Sequence, residues 1–182
     1  MKKNNASAVS PVVGVMLMLV VTIIIAAVVS AFASGAVSGQ TKVPQATITA
    51  TFSISNGLQI THAGGDGLAT ADTVFIIRDN SMFGQNLQQK TAQVLNKTLI
   101  ASSNGGLLDN GDGTSNITSF IPGDTLIISG ANATCSLLQP TVYASNLGLC
   151  ISNSSNIGKT FSLEVSDTKG DMISRSDVII SP

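Results

Sequence analysis

From Val12 to Ala33 the chain runs for 22 residues whose only interruptions are Gly14, Thr22 and Ser30, and no ionisable side chain occurs between Lys3 and Lys42. An apolar stretch longer than about 18 residues reads as a membrane-spanning helix. At a rise of about 1.5 Å per residue it extends roughly 33 Å, enough to cross a hydrocarbon core of about 30 Å. Ser10 is suited to cap this helix, and Pro11 to its first turn, where no intrahelical N–H partner is lost. Ser34, Gly35, Ser38 and Gly39 end the helical signal. Lys2 and Lys3 set the N-terminus on the cytoplasmic side, so the chain beyond about Thr41 is exported.

The rest of the composition narrows the function. Only 10% of the 182 residues are charged while 43% are apolar, the formal net charge is -1, and the mean hydropathy is +0.38. Disorder needs the opposite combination of low hydrophobicity and high charge. A nucleic-acid partner is not expected, because no basic stripe is present to displace phosphate counterions. With one His, one Tyr and no Trp, metal cages and His-based acid–base sites lack their usual side chains, and neither an enzyme nor a cofactor is expected.

Three readings of the apolar segment compete. A secretory signal peptide has an apolar core of about 7 to 15 residues and a small-x-small cleavage site. Ala31-Phe32-Ala33 could supply that site, but the run is too long. A plain signal anchor explains length and orientation, yet not the Ser-Pro between the basic leader and the apolar run. The string AVSPVVGVMLMLVVTIIIAAVVSAF resembles the N-terminal region of archaeal type IV pilins, in which a short basic leader precedes a Ser-Pro-Val-Ile/Val-Gly sequence and an aliphatic helix. It resembles pilins more than the related archaellins, which usually carry a Gly-rich sequence at that point.

The resemblance implies a processing step, a polymer and a set of residues. A membrane prepilin peptidase would remove the leader, residues 1–8, at the Ala8–Val9 bond. Bacterial pilins favour Gly before the cut and Glu five residues after it, where this chain has Ala8 and Val13, so the bond is placed to within a residue or two. The helix, residues 9–40, would span the membrane before assembly. An ATP-driven machine would then extract it into the core of a homopolymer of identical subunits. Val12, Val13, Gly14, Leu17, Val20, Val21, Ile24, Ala27, Val28 and Ala31 are the expected core residues. Lipid tails are about as apolar as Leu, so the transfer yields little hydrophobic gain and extraction needs work. Close van der Waals packing must hold the bundle. Small residues permit close approach, and stiff β-branched ones lose little freedom.

After residue 40 the character changes. In TITATFSIS, Ile48, Ala50, Phe52 and Ile54 alternate with Thr and Ser, as do Phe161, Leu163 and Val165 with Ser162, Glu164 and Ser166: the period of a half-buried strand. Further strands are expected over 58–62, 73–78, 94–100, 117–121, 125–129, 141–144 and 172–180. Asn-Gly, Gly-Gly-Asp-Gly, Pro-Gly and Lys-Gly turns separate them. No helical periodicity competes there. The expected fold class is therefore α+β: a long apolar N-terminal helix followed by an exported antiparallel all-β sandwich or barrel over 41–182. ITHAGGDGLATADTVFII, FIPGDTLIISG and VSDTKGDMISRSDVII look like strand phrases of archaeal pilins.

Cys135 and Cys150, the only cysteines, could close a loop worth on the order of 3 kcal/mol in an exported domain; two buried thiols are the alternative. Asn96, Asn116, Asn132 and Asn153 each head an N-glycosylation sequon, with a fifth at Asn5 in the leader, and at least one of the four is expected to be occupied. Asp109 to Asn116 has the oxygen-rich look of a calcium loop but lacks the EF-hand alternation and terminal Glu, so a polar turn is the reading and no metal is expected. His62 is expected to end a strand as a hydrogen-bonding residue; a trio with Asp66 and a Ser is the alternative. Lys90, Lys97 and the stretch from Gln85 to Gln93 read as a solvated loop. The expected function is a structural subunit of an adhesive surface filament. Its rival is a monomeric, membrane-anchored β protein that binds a ligand or carbohydrate.

Overall fold

The computed structural model describes residues 9–37, 42–87 and 90–182, and the chain divides into two compact units, Met1–Lys42 and Val43–Pro182. Among its described residues the first unit contains one helix, α1, Val9–Val37, 29 residues long. The basic leader, Ala8 and the Ser38–Thr41 segment lie outside the described residues, as do Gln88 and Gln89.

The second unit is a mostly antiparallel β domain. In chain order its strands are β1 (Ala46–Ser53), β2 (Gly57–Gly65), β3 (Leu68–Ala69), β4 (Thr73–Asp79), β5 (Gln93–Val94), β6 (Ala101–Ser102), β7 (Ser119–Phe120) and β8 (Thr125–Ser129). Two short helices follow, α2 (Cys135–Leu138) and α3 (Pro140–Ser145), and then β9 (Thr160–Asp167) and β10 (Met172–Ser181). Eight strands form one hydrogen-bonded sheet in the order β5-β4-β9-β10-β1-β2-β8-β6, and β3 pairs with β7.

One sheet face carries the core. Along β1, Ile48 and Phe52 are buried while Thr47, Thr49 and Thr51 are exposed. Register carries the apolar set across the sheet: Phe52 faces Leu58, Leu58 faces Ile128, and Val178 faces Phe161, which meets Phe52 edge-on at 5.6 Å between ring centroids. Such aromatic pairs add about 0.5–1.5 kcal/mol beyond area burial. Gly57 starts β2 with φ of +89°, and a Cβ there would lie 2.0 Å from the Ile128 carbonyl oxygen, so backbone approach as well as conformation demands glycine.

Two strand expectations give way to local side-chain chemistry. Residues 141–144 lie in α3, not in a strand: Pro140 stands at its first turn, where proline fits, and a four-residue run has no period of its own to separate strand from helix. Of 94–100 only Val94 is in a strand, because Asn96 Oδ1 accepts from the Thr98 N–H at 3.0 Å and turns Lys97–Leu99 into a 3-10 helix. The sheet is also not wholly antiparallel. β1 and β10 run parallel with Phe52 opposite Ile180. Short connections impose antiparallel pairing only on sequence neighbours, and these are the first and last strands of the domain. Farther along their seam, Ser174 Oγ accepts from the Ile48 N–H at 3.1 Å.

Interior strand β9 departs from simple alternation, since Phe161 to Ser166 are all buried. Its polar side is covered by charges from the flanking strands. Arg78 Nε donates to Glu164 Oε2 at 2.6 Å, Arg175 Nη1 stands 3.5 Å from Oε1, and Ser162 Oγ accepts from Arg175 and donates to Asp177. Two cations and two carboxylates thereby offset one another around one serine.

Candidate membrane and assembly segment

Helix α1 contains no charged residue, and every side chain from Pro11 to Ala33 is exposed. These 23 residues form a candidate membrane span of mean hydropathy 3.2. A helix apolar all round belongs inside protein or lipid rather than water. Its one interior hydroxyl with a described role, Thr22 Oγ1, donates to the Leu19 carbonyl at 2.9 Å and so brings no unpaired polar group to the surface. A Cβ on Gly14 would meet nothing within 4 Å, so nothing within this helix requires glycine there.

All ten expected core residues lie in this helix, but they do not form one stripe. Val13, Leu17, Val20, Ile24, Ala27 and Ala31 recur at alternating spacings of four and three and share a face, with Val21 and Val28 beside it. Gly14 lies at the edge of that face and Val12 on the opposite side. On that far side Thr22, Ala26 and Ser30 follow one another at steps of four, a row of small side chains absent from the expectation as a face. The missing signal was the i, i+4 spacing, which composition alone does not reveal. Of the cleavage pair, Val9 opens the helix and Ala8 lies outside the described residues.

In the β domain Cys135 and Cys150 are joined by a disulfide, with Cα atoms 5.6 Å apart, and the stapled segment includes both short helices. Inside it Gln139 is fully buried, donating from Nε2 to Asp79 Oδ1 at 3.1 Å and accepting at Oε1 from the Ile151 N–H at 2.8 Å. Asp79 is equally buried and its Oδ2 has no partner among the described residues. Burial pushes its carboxyl up to about 6, against the opposing pull of the Gln139 hydrogen bond and the Lys159 charge. No spacing in the sequence announces this contact between β4 and the disulfide loop.

The sequons differ in what the asparagine nitrogen does. Asn96, Asn116 and Asn132 are exposed, with no hydrogen bond from Nδ2 among the described residues; Asn116 accepts at Oδ1 from Asn110. Asn153 is half-buried, and its Nδ2 donates to the Leu147 carbonyl at 3.1 Å while Oδ1 accepts from the Ser155 N–H and hydroxyl. Asn5 lies outside the described residues.

The remaining sequence candidates are held by local contacts to different degrees, and the buried Nδ1 of His62 has no partner among the described residues. His62 is buried at the core end of β2, its Nε2 3.0 Å from the Asp66 carbonyl oxygen, with Phe120 edge-on at 5.1 Å. The Asp66 carboxylate instead accepts from the Gln45 N–H, so the catalytic-style trio is not assembled. In the 109–116 loop Asp109 accepts from the Gly111 N–H, and Asp112 Oδ1 accepts from both the hydroxyl and the N–H of Thr114, which hold its carboxyl below the ordinary value. Among the described residues no group of three or more His, Cys, Asp or Glu could hold a metal. Lys97 is not a solvated loop residue: it is half-buried and donates to the Thr70 and Ala71 carbonyls, and burial lowers its pKa against the charges of Asp109 and Asp72. Gln93 is likewise engaged, accepting from Thr141, whereas Gln85 and Lys90 are exposed.

A search of the curated proteins returned no match. The family model described as archaeal type IV pilin, N-terminal, matches residues 7–48, which include all of α1. Residues 7–48 thus match an archaeal type IV pilin N-terminal model, and along the chain an apolar helix is followed by a mostly antiparallel β domain, an order consistent with a pilin-like α+β fold.

Proposed function

We propose that this chain is the structural subunit of an archaeal type IV pilus that polymerises through α1 into an extracellular adhesive filament. The observation that carries the reading is a charge-free helix, exposed on every side over Pro11–Ala33, inside the family match. Before assembly the bilayer covers that surface, with the N-terminus cytoplasmic and the β domain outside. A prepilin peptidase cuts at Ala8–Val9, and the assembly machinery moves the helix from lipid to a bundle of copies. In the bundle the face of Val13, Leu17, Val20, Ile24, Ala27 and Ala31 packs against neighbours, while the Thr22-Ala26-Ser30 row admits a second neighbour at close range. The Cys135–Cys150 linkage and glycans on the exposed sequons Asn96, Asn116 and Asn132 protect the exported domain, and Asn153 is the site least suited to modification.

N-terminal sequencing of the mature protein, with electron microscopy of material sheared from cells, tests the reading. A chain starting near Val9 and present in filaments is the expected result. An intact Met1 on lone membrane-bound molecules would instead select the anchored, ligand-binding alternative. A start at Ser34 on soluble molecules would remove the polymer altogether.

A further inference from the structure

The β domain has a half-open cleft of about 190 Å³ between the turn after β6 and the turn before β8. Ile117 supplies its apolar side, over the buried Leu126, and Ser102, Ser103, Asn104, Asp124 and Thr125 its polar groups. The two walls are tied by a hydrogen bond from the Ser103 N–H to the Thr125 carbonyl at 3.3 Å. Asp124 is aimed by its own turn, since Oδ2 accepts from the Ile121 N–H at 3.0 Å. That leaves Oδ1, the Asn104 amide and the Ser103 hydroxyl without a partner among the described residues, all on one small concavity.

We propose that this cleft seats a single neutral sugar ring. A planar carboxylate and a planar amide offer directional acceptors and donors to neighbouring ring hydroxyls, and the half-buried Ile117 side chain offers an apolar contact to the C–H face of the ring. The lining holds no Lys or Arg to select an anion and no His or Cys to select a soft metal. The volume lies below the roughly 300 Å³ at which pockets for drug-sized ligands begin, which restricts the occupant to one ring. The same chemistry can arrive from two sources: a glycan on another surface, or one carried on this chain at Asn116, the residue before Ile117 in the lining.

The test is a heteronuclear NMR titration of the full chain, made without glycans and held in detergent micelles, with the methyl glycosides of glucose, galactose, mannose and N-acetylglucosamine. At least one should give saturable shifts centred on Ser103, Asn104 and Asp124. Loss of one hydrogen bond weakens binding about fivefold, so Ser103→Ala and Asn104→Ala should each raise Kd by about that factor. Both side chains are exposed and neither makes a hydrogen bond among the described residues, so these variants keep the test clear of folding defects that Asp124→Ala could bring. No saturable response to any of the four glycosides, or equal saturation by free lysine, overturns the proposal. The source is read on protein isolated from its own cells: if the Asn116 glycan fills the cleft, only the Asn116→Gln variant responds to added glycoside, and if it does not, wild type responds equally. Filament formation is not part of the readout, so failure here and failure of the pilus reading are separate results.

Discussion

Ile24 and Ile60 are the same residue in two different physical situations. Ile60 lies inside the β domain at 0% exposure, whereas Ile24 in α1 is 55% exposed. The domain covers its own large apolar side chains at Phe52, Phe75, Phe120 and Phe161 and surrounds Glu164 with two arginines. Helix α1 covers nothing of its own. Full burial of such side chains is worth about 1.5–3 kcal/mol each, so the domain has gained this free energy by folding, while nothing within the helix itself supplies it. One unit is stabilised by its sequence neighbours in the fold, the other by whatever surrounds it.

That contrast breaks most visibly under a charge in α1. Ile24→Asp costs about 2.5–3.5 kcal/mol at mid-membrane, and it should abolish stable membrane residence and filament yield, measured by fractionation and shear recovery, while the β domain keeps its circular-dichroism signal. Normal filaments from that variant would end the packing account. Removing the linkage in the other unit, as Cys135→Ser with Cys150→Ser, should lower β-domain stability by about 3 kcal/mol in denaturant unfolding and leave membrane residence unchanged. Next in size is a pH effect. Asp79 has a folded-state pKa raised from 3.8 to about 6, so its charge is disfavoured by the fold. Its contribution is fully present below about pH 3.8 and is lost as pH rises through 6, on the order of 3 kcal/mol at most. Asp79→Asn should flatten that part of the stability–pH curve. The smallest effect sharpens the comparison within α1. Ala26→Leu should leave insertion intact, since both side chains suit lipid, but reduce filament yield by crowding the small-residue row.

The helix was legible because its signal is redundant: 22 residues repeat the same message, and no charge contradicts it. Strands β1, β2, β4, β8, β9 and β10 were legible because alternating apolar residues and glycine turns bound them. The short elements were not. At Asn96 a single side-chain-to-backbone bond chose a 3-10 helix over extended chain, and at Pro140 a ring-fixed dihedral opened α3. Period-based reading averages over windows longer than either element. Long-range polar contacts were equally hidden. Asp79 and Gln139 are 60 residues apart and carry no mutual spacing rule, and the parallel β1–β10 pair joins the two ends of the domain. For the assembly face the composition was readable, but grouping its residues required placing each on the helix by its angle.

The position of β1 has a mechanical consequence. Tension transmitted along the chain from α1 enters the domain at β1, which is no edge strand: it is gripped by β2 through eight register pairs on one side and by β10 on the other. Pro182 is fastened at the other end of the same strand, where Ser53 and Ser55 donate to its carbonyl. A load of that kind meets the β2 ladder along the whole length of β1 before it reaches the β10 pairs at Phe52 and Ser53, so the point of attachment is backed by the interior of the sheet.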